Sequence, residues 1–255
     1  MTTGYRFSAN TGFLWKDRPF LDRIRAAAAA GFDAVEFHDE AQAEDAGRLE
    51  DVLSETRLPV LGLNVRMGES SGCAAIPERA DEARRDIDAA VAVASRIGAG
   101  AVHVLAGKTD AADAERAYLA NLRHALAASD LTILIEPICR QGIPGYFLNS
   151  LDQARRILRE IDHPRLKILF DCYHIETEHG DVVGRFRTAV SDVGHVQIAS
   201  VPARQEPEFG PAAGLDYALV LPAFREAGYH GAFGCEYRPA TTTDAGLVWR
   251  KAVPA

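Results

Sequence analysis

Glu136, Asp171, Gln197 and Glu236 each end a short apolar run: Leu-Thr-Ile-Leu-Ile-Glu136, Leu-Lys-Ile-Leu-Phe-Asp171, Gly-His-Val-Gln197 and Ala-Phe-Gly-Cys-Glu236. A carboxylate closing a buried strand is costly unless something offsets its charge, most simply a bound cation. Three carboxylates and one amide make an oxygen donor set suited to one divalent ion, Mg2+ or Mn2+, with Co2+ or Zn2+ as substitutes. A dedicated zinc site more often shows Cys or His. Glu136 and Glu236 also form a candidate acid/base pair. One carboxylate takes a proton from a carbon beside a carbonyl, the other delivers one, and a cation steadies the enediolate between the two steps.

Further candidates lie on the segments after these runs. His174, three residues past Asp171, is expected to contact substrate oxygens or orient a ligand from a loop. Arg204 and Glu206 follow the seventh apolar run on a loop that can fold over the site, and Arg204 offers a planar fork for a substrate carboxylate. Lys108, in Ala-Gly107-Lys108-Thr109, is a candidate substrate contact, although the segment fails the phosphate-loop pattern because Val102 replaces its first glycine. Lys167 has the residue type a Schiff-base site needs. It shares the inward parity of Asp171 but sits four residues lower, roughly 13 Å at ~3.3 Å per residue, which argues against that chemistry.

Residues so placed need strands that end together. Strand-like runs near 5–10, 34–38, 59–65, 101–107, 131–138, 166–173, 195–200 and 231–237 alternate with helical stretches near 18–30, 44–55, 77–97, 111–128, 150–160, 181–190, 215–227 and 241–252. Several runs are continuously apolar, as in a parallel sheet covered on both faces. Gly31, Gly98 and Gly228 suit helix C-termini, and Asp110 and Ser150 suit N-caps. Eight strands alternating with eight helices predict an α/β fold, a single (β/α)8 TIM barrel spanning 1–255, whose strand ends converge on one mouth. An open doubly wound sheet is the alternative.

The length of 255 residues matches one such barrel, and 47% apolar with 25% charged residues is ordinary for a soluble domain. A net charge of -8 argues against a general nucleic-acid surface. Cys73, Cys139, Cys172 and Cys235 are scattered, which fits reduced thiols and a cytoplasmic setting. The start, Met-Thr-Thr-Gly-Tyr-Arg-Phe, lacks a signal-like apolar stretch, and no segment reaches the ~20 apolar residues of a membrane span.

Taken together, the motifs resemble the hydroxypyruvate isomerase family, within the xylose isomerase-like barrels that include sugar epimerases and endonuclease IV. The matching segments are Arg-Phe-Ser-Ala-Asn10, Gly-Phe-x-Ala-Val-Glu36-Phe, Ala-Gly107-Lys-Thr109, Ile-Glu136-Pro-Ile, Ile143-Pro-Gly-Tyr-Phe147, Phe-Asp171-x-Tyr-His174, Gly194-His-Val-Gln197-Ile-Ala, Gly234-Cys-Glu236-Tyr-x-Pro and Thr241-Thr-Thr-x-Ala-Gly-Leu-x-Trp249. Gln197 is the most discriminating, since sugar epimerases usually carry His there. The resemblance implies a metal-dependent aldose–ketose isomerisation of a small hydroxy-oxo acid, hydroxypyruvate to tartronate semialdehyde. Glu136 and Glu236 would be ligands and acid/base pair, Asp171 and Gln197 would complete the metal site, and His174 and Arg204 would contact substrate. Related barrels often pair through mouth loops, so a homodimer is expected.

Departures fall in the mouth loops. A short Asn64–Pro77 segment, Cys139 and Gly142 in place of Asn and Asp, Ala199-Ser200 in place of Ala-Asp, and Glu208–Gly214 in place of a Gly-Thr-Gly-Glu run alter the substrate wall. They keep open a 2-oxo-tetronate isomerase, a ketose 3-epimerase, an oxo-sugar dehydratase or lyase, and a non-catalytic sugar-acid binder. A trinuclear zinc phosphodiesterase has too few histidines, with only His38, His103 and His174 suitably placed.

Overall fold

The computed structural model describes residues 4–254; Met1–Thr3, part of the start considered above, and Ala255 lie outside the described residues. In chain order the elements are β1 (Phe7–Asn10), α1 (Phe20–Ala29), β2 (Ala34–Phe37), α2 (Ala46–Thr56), β3 (Val60–Asn64), α3 (Ala80–Arg96), β4 (Ala101–His103), α4 (Ala114–Ala128), β5 (Thr132–Ile135), α5 (Leu151–Ile161), β6 (Leu166–Asp171), α6 (Cys172–His179), α7 (Val182–Ala189), β7 (Val193–Ile198), α8 (Tyr217–Glu226), β8 (Phe233–Cys235) and α9 (Thr243–Gly246). The strands form a closed parallel barrel in sequence order, sealed where Phe7, Ser8 and Ala9 pair with Phe233, Gly234 and Cys235. The expected TIM barrel is therefore the observed one, and the open sheet is excluded by the β1–β8 ladder.

Local chemistry explains most boundaries. Ser150 accepts from Gln153 N and starts α5, and Gly31, Gly98 and Gly228 adopt φ of 71°, 67° and 101° after their helices. The Asp110 expectation is corrected: α4 begins later, after Asp113, and neither aspartate's side chain caps it. The helix expected over 241–252 is instead the short α9 followed by a 3-10 turn over Leu247–Ala252. The largest omission is α6. Its only signal is Asp171 itself, whose side chain accepts from Tyr173 N and turns the strand end directly into a helix.

Packing fixes the barrel beneath the site. Phe186 and Phe224 stack with centroids 3.6 Å apart, and Phe170 meets them edge-on at 5.2 and 5.8 Å, joining β6 to α7 and α8. Truncating Phe186 to Ala is expected to cost about 3–5 kcal/mol through transfer and cavity terms. The segment after β1 is tied to α9, with Trp15 N donating to Thr243 Oγ1 (2.8 Å) and Trp15 Nε1 to Asp244 Oδ1 (2.7 Å). This tie places Phe13 at the mouth, edge-on to His38 with centroids 5.2 Å apart. Among the described residues, no helix is long and apolar enough to cross a membrane.

Candidate active site

At the carboxyl ends of the last four strands the chain buries three carboxylates together. Glu136 stands one residue past β5, Asp171 ends β6, Gln197 pairs in register with Asp171 on β7, and Glu236 follows β8. Their exposures are 4%, 1%, 4% and 7%. Desolvating that much charge costs several kcal/mol per ion unless partners repay it, so the partners define the site.

Glu236 is surrounded by them. Its Oε1 accepts from Asn10 Nδ2 (3.1 Å) and faces His38 Nε2 (3.2 Å), while Oε2 accepts from Arg204 Nη2. Burial alone would raise this carboxyl, but Arg204 and His38 outweigh it and hold it down at about 2. Burial would likewise lower His38, yet its hydrogen bond to Glu236 raises it. Arg204 also donates to Asp171 Oδ2 (3.1 Å), and its guanidinium lies over Phe13 and Tyr173 at 4.9 and 5.1 Å from their ring centres. The loop after β7 therefore folds over the mouth. Arg204 is held there in left-handed backbone (φ 53°), its N–H bonded to Ser200 O and its carbonyl to Arg238 N.

Glu136 is treated differently. Its Oε1 has no hydrogen-bond partner among the described residues; His174 Nε2 stands 3.7 Å from Oε1, and His103 Nε2 3.8 Å from Oε2. Burial first, then the charges of Glu236 and Asp171, push its carboxyl well above the ordinary range. Burial also raises Asp171, against the pull of Arg204. His103 is pushed down to about 4 and His174 well below its ordinary value, both mainly by burial, so both rings are neutral near pH 7.

Gln197 supplies a second unpartnered oxygen. Its Nε2 donates to Glu36 Oε1 (3.2 Å), and Glu36 Oε2 is bound by His195 Nε2 at 2.5 Å. A carboxylate accepts only from the amide's nitrogen end, which leaves Gln197 Oε1 buried and unpaired. Ligand atoms of Glu136, Asp171 and His174 lie within 4.8 Å of one another. Unpaired Glu136 Oε1 and Gln197 Oε1 beside a carboxylate cluster fit a hard divalent cation, because oxygen donors of net negative charge are what such an ion binds.

The remaining expected contacts fall elsewhere. Lys108 is exposed, donates from Nζ to Glu69 O (3.1 Å), and lines a cavity of about 570 Å3 with Arg66, Arg79, Glu82 and Asp86 rather than joining the carboxylates. Glu206 accepts from Ala240 N at 3.2 and 3.1 Å and so ties the loop after β7 to that after β8. Lys167 Nζ donates to Ser191 O (2.9 Å), away from the mouth. Roles went unassigned in the sequence for Asn10, Glu36, His38 and His103. Asn10 and His103 end their strands and Glu36 stands next to last in its own, so the rule that marked the four leading candidates would have found them on the first half of the barrel.

The family described as xylose isomerase-like TIM barrel matches residues 24–253 of this chain. The 2-oxo-tetronate isomerase of Cupriavidus necator is 41% identical over 258 residues, covering 96% of this chain and 97% of its own. The hydroxypyruvate isomerase of Escherichia coli is 35% identical over 258 residues, again 96% and 97%. Among solved structures, an AP endonuclease, family 2, from Brucella melitensis superposes with a TM-score of 0.90 at 32% identity, over 98% of this chain and 100% of its own.

Proposed function

The chain belongs to the xylose isomerase-like TIM barrel family, and from that premise we propose that it is a metal-dependent aldose–ketose isomerase of a small hydroxy-oxo acid. The observation that carries the reading is the unequal pair of buried glutamates at one barrel mouth, with Glu136 Oε1 and Gln197 Oε1 left unpaired among the described residues. Hydroxypyruvate, interconverted with tartronate semialdehyde, is the first candidate substrate. A 2-oxo-tetronate is the second, supported by the 41% identity to an isomerase of that name.

Glu136, Asp171, Gln197 and Glu236 would hold the cation, Mg2+ or Mn2+, whose chemistry is to polarise the substrate's carbonyl and hydroxyl oxygens. The protein's own groups then divide the proton transfer. Glu236, kept ionised by Arg204 and His38 and oriented by Asn10, is set to take the proton from the hydroxyl-bearing carbon. The electron pair moves toward the former carbonyl, giving an enediolate. Glu136 is set to collect the proton of the substrate hydroxyl and return it at the neighbouring carbon. The proton held by Glu236 passes to the former carbonyl oxygen, so atoms and charge balance and both carboxylates regain their starting state. Arg204, with Nε unpaired among the described residues, offers a cation for the substrate carboxylate.

The test is proton NMR in D2O of the metal-loaded protein with hydroxypyruvate and with 2-oxotetronates. Metal-dependent deuterium incorporation into one of them, lost in Glu236→Gln, is the expected result. A bound metal with no exchange in any of these acids overturns the reading.

A further inference from the structure

His174 lies in the first turn of α6 and is 2% exposed, with Nε2 3.7 Å from Glu136 Oε1 and 3.6 Å from Asp171 Oδ2. Behind it, Nδ1 meets two groups of one residue, the backbone N of Cys139 at 3.4 Å and its Sγ at 3.1 Å. A backbone N–H can only donate, so Nδ1 must present a lone pair. The sulfur accepts the Gly142 N–H at 3.3 Å, and with Nδ1 already facing the Cys139 N–H its own S–H is the group left to donate to the ring. A neutral imidazole carries one proton; with Nδ1 accepting, that proton sits on Nε2 and points into the carboxylate cluster. His103, on the other side of Glu136, has the reverse arrangement, its Nδ1 paired with Asn64 Oδ1 at 3.1 Å.

We propose that Cys139 is a positioning residue that locks His174 in the Nε2–H form, so that His174 donates to a substrate oxygen and does not ligate the metal. This rests on the isomerase reading above for the identity of the acceptor, a carbonyl or hydroxyl oxygen of the hydroxy-oxo acid. A protonated ring nitrogen has no lone pair for a cation. The 3.6 and 3.7 Å separations are too long for hydrogen bonds, leaving the Nε2 proton uncommitted until an oxygen arrives.

Gly142 completes the device. Its N–H reaches both the carbonyl of Cys139 (2.9 Å) and the sulfur, closing a tight turn behind the ring. A Cβ at this position would lie 2.9 Å from His174 Cε1 and 3.1 Å from Cys139 Sγ. Any side chain here therefore crowds the imidazole and the sulfur behind it. Cys139 and Gly142 are two of the positions at which the sequence departs from the pattern it resembles, and the geometry makes them one unit.

The experiment uses full-length protein labelled with 15N-histidine, metal-free and with Mg2+, read by long-range proton–nitrogen NMR. The expected result in both states is an unprotonated Nδ1 and a protonated Nε2 for His174, with the opposite pattern for His103 as internal reference. A protonated Nδ1, or loss of the Nε2 proton on adding Mg2+, overturns the proposal. In turnover, Cys139→Ala removes the S–H donor and is expected to lower kcat about tenfold, Cys139→Ser restores an O–H donor and recovers kcat to within about threefold, and Gly142→Ala lowers kcat about tenfold or more, while the Mg2+ Kd stays within about twofold in all three. A Mg2+ Kd that weakens in step with kcat marks His174 as a ligand and also overturns it. The tautomer readout needs no turnover: an inactive protein with unprotonated Nδ1 sinks the isomerase reading and leaves the lock supported, and an active one with protonated Nδ1 sinks the lock alone.

Discussion

Glu236 and Glu136 stand at the same barrel mouth, at the ends of strands three apart, yet the chain surrounds one and strands the other. Glu236 receives Asn10, His38 and Arg204, drawn from β1, the end of β2 and the loop after β7. Glu136 has two neutral imidazoles at 3.7 and 3.8 Å and no donor on Oε1. An unsatisfied buried polar group costs about 1–3 kcal/mol, more when charged. A fold retains such a cost where a guest relieves it. One carboxylate has its charge fixed by the protein, and the other has its charge left to whatever enters.

The strongest way to break this comparison is to neutralise each member. Glu136→Gln and Glu236→Gln are each expected to lower kcat by about 10²- to 10⁴-fold, the usual span for an acid/base group. Near-normal turnover in both would remove the proton-transfer pair. The comparison sharpens in stability measured with a metal chelator present. Glu136→Gln relieves repulsion among like charges and should hold or raise the midpoint of thermal unfolding. Glu236→Gln leaves Arg204 short of a partner and should lower stability by about 3 kcal/mol, as when one half of a buried pair is removed. Shifts of the same size and sign would mean that the two environments are not distinct.

This asymmetry was only half legible in the sequence. The barrel was readable because alternating apolar runs and helical stretches leave few topologies, and strand-end polar residues point to one mouth whatever the loops do. Glu136, Asp171, Gln197 and Glu236 followed from that. The partners did not, because they are set by register across the barrel: Asn10 reaches Glu236 over 226 residues, and Glu36 reaches Gln197 over 161. Lys108 and Glu206 were less legible for the opposite reason. Charge near a strand end says nothing of direction, and the structure gives each a backbone partner outside the carboxylate cluster. The helix α6 escaped because its start is a single capping contact inside the Asp171 motif.

A smaller effect probes the support behind Gln197. Glu36 accepts from the amide nitrogen and is itself bound by His195, an arrangement that dictates which end of Gln197 is left free. In Glu36→Gln the new amide can donate as well as accept, so Gln197 loses its fixed orientation. Weakening of Mn2+ or Mg2+ binding by about 10- to 100-fold is expected from titration calorimetry, the range for partners that orient a ligand. Unchanged affinity would show that Gln197 Oε1 is not among the donors.

The smallest effect distinguishes the glutamates without touching catalysis. Before a cation arrives, Glu136 has its carboxyl raised above the ordinary value near 4.5 by burial and by the neighbouring negative charges. At mildly acidic pH it therefore holds a proton, which a divalent ion must displace in order to use that oxygen. Glu236, held at about 2, has none to release over the same range. Metal affinity should consequently rise with pH and level off once Glu136 is ionised, with Asp171, also raised, adding to the release. Calorimetry at pH 5.5 in two buffers of different ionisation enthalpy measures that release directly. The expected outcome is a fraction of a proton to about one per site from Glu136, reduced in Glu136→Gln and retained in Glu236→Gln. Release that survives the first substitution and vanishes in the second would reverse the assignment of the two carboxylates, and with it the direction in which the proton travels.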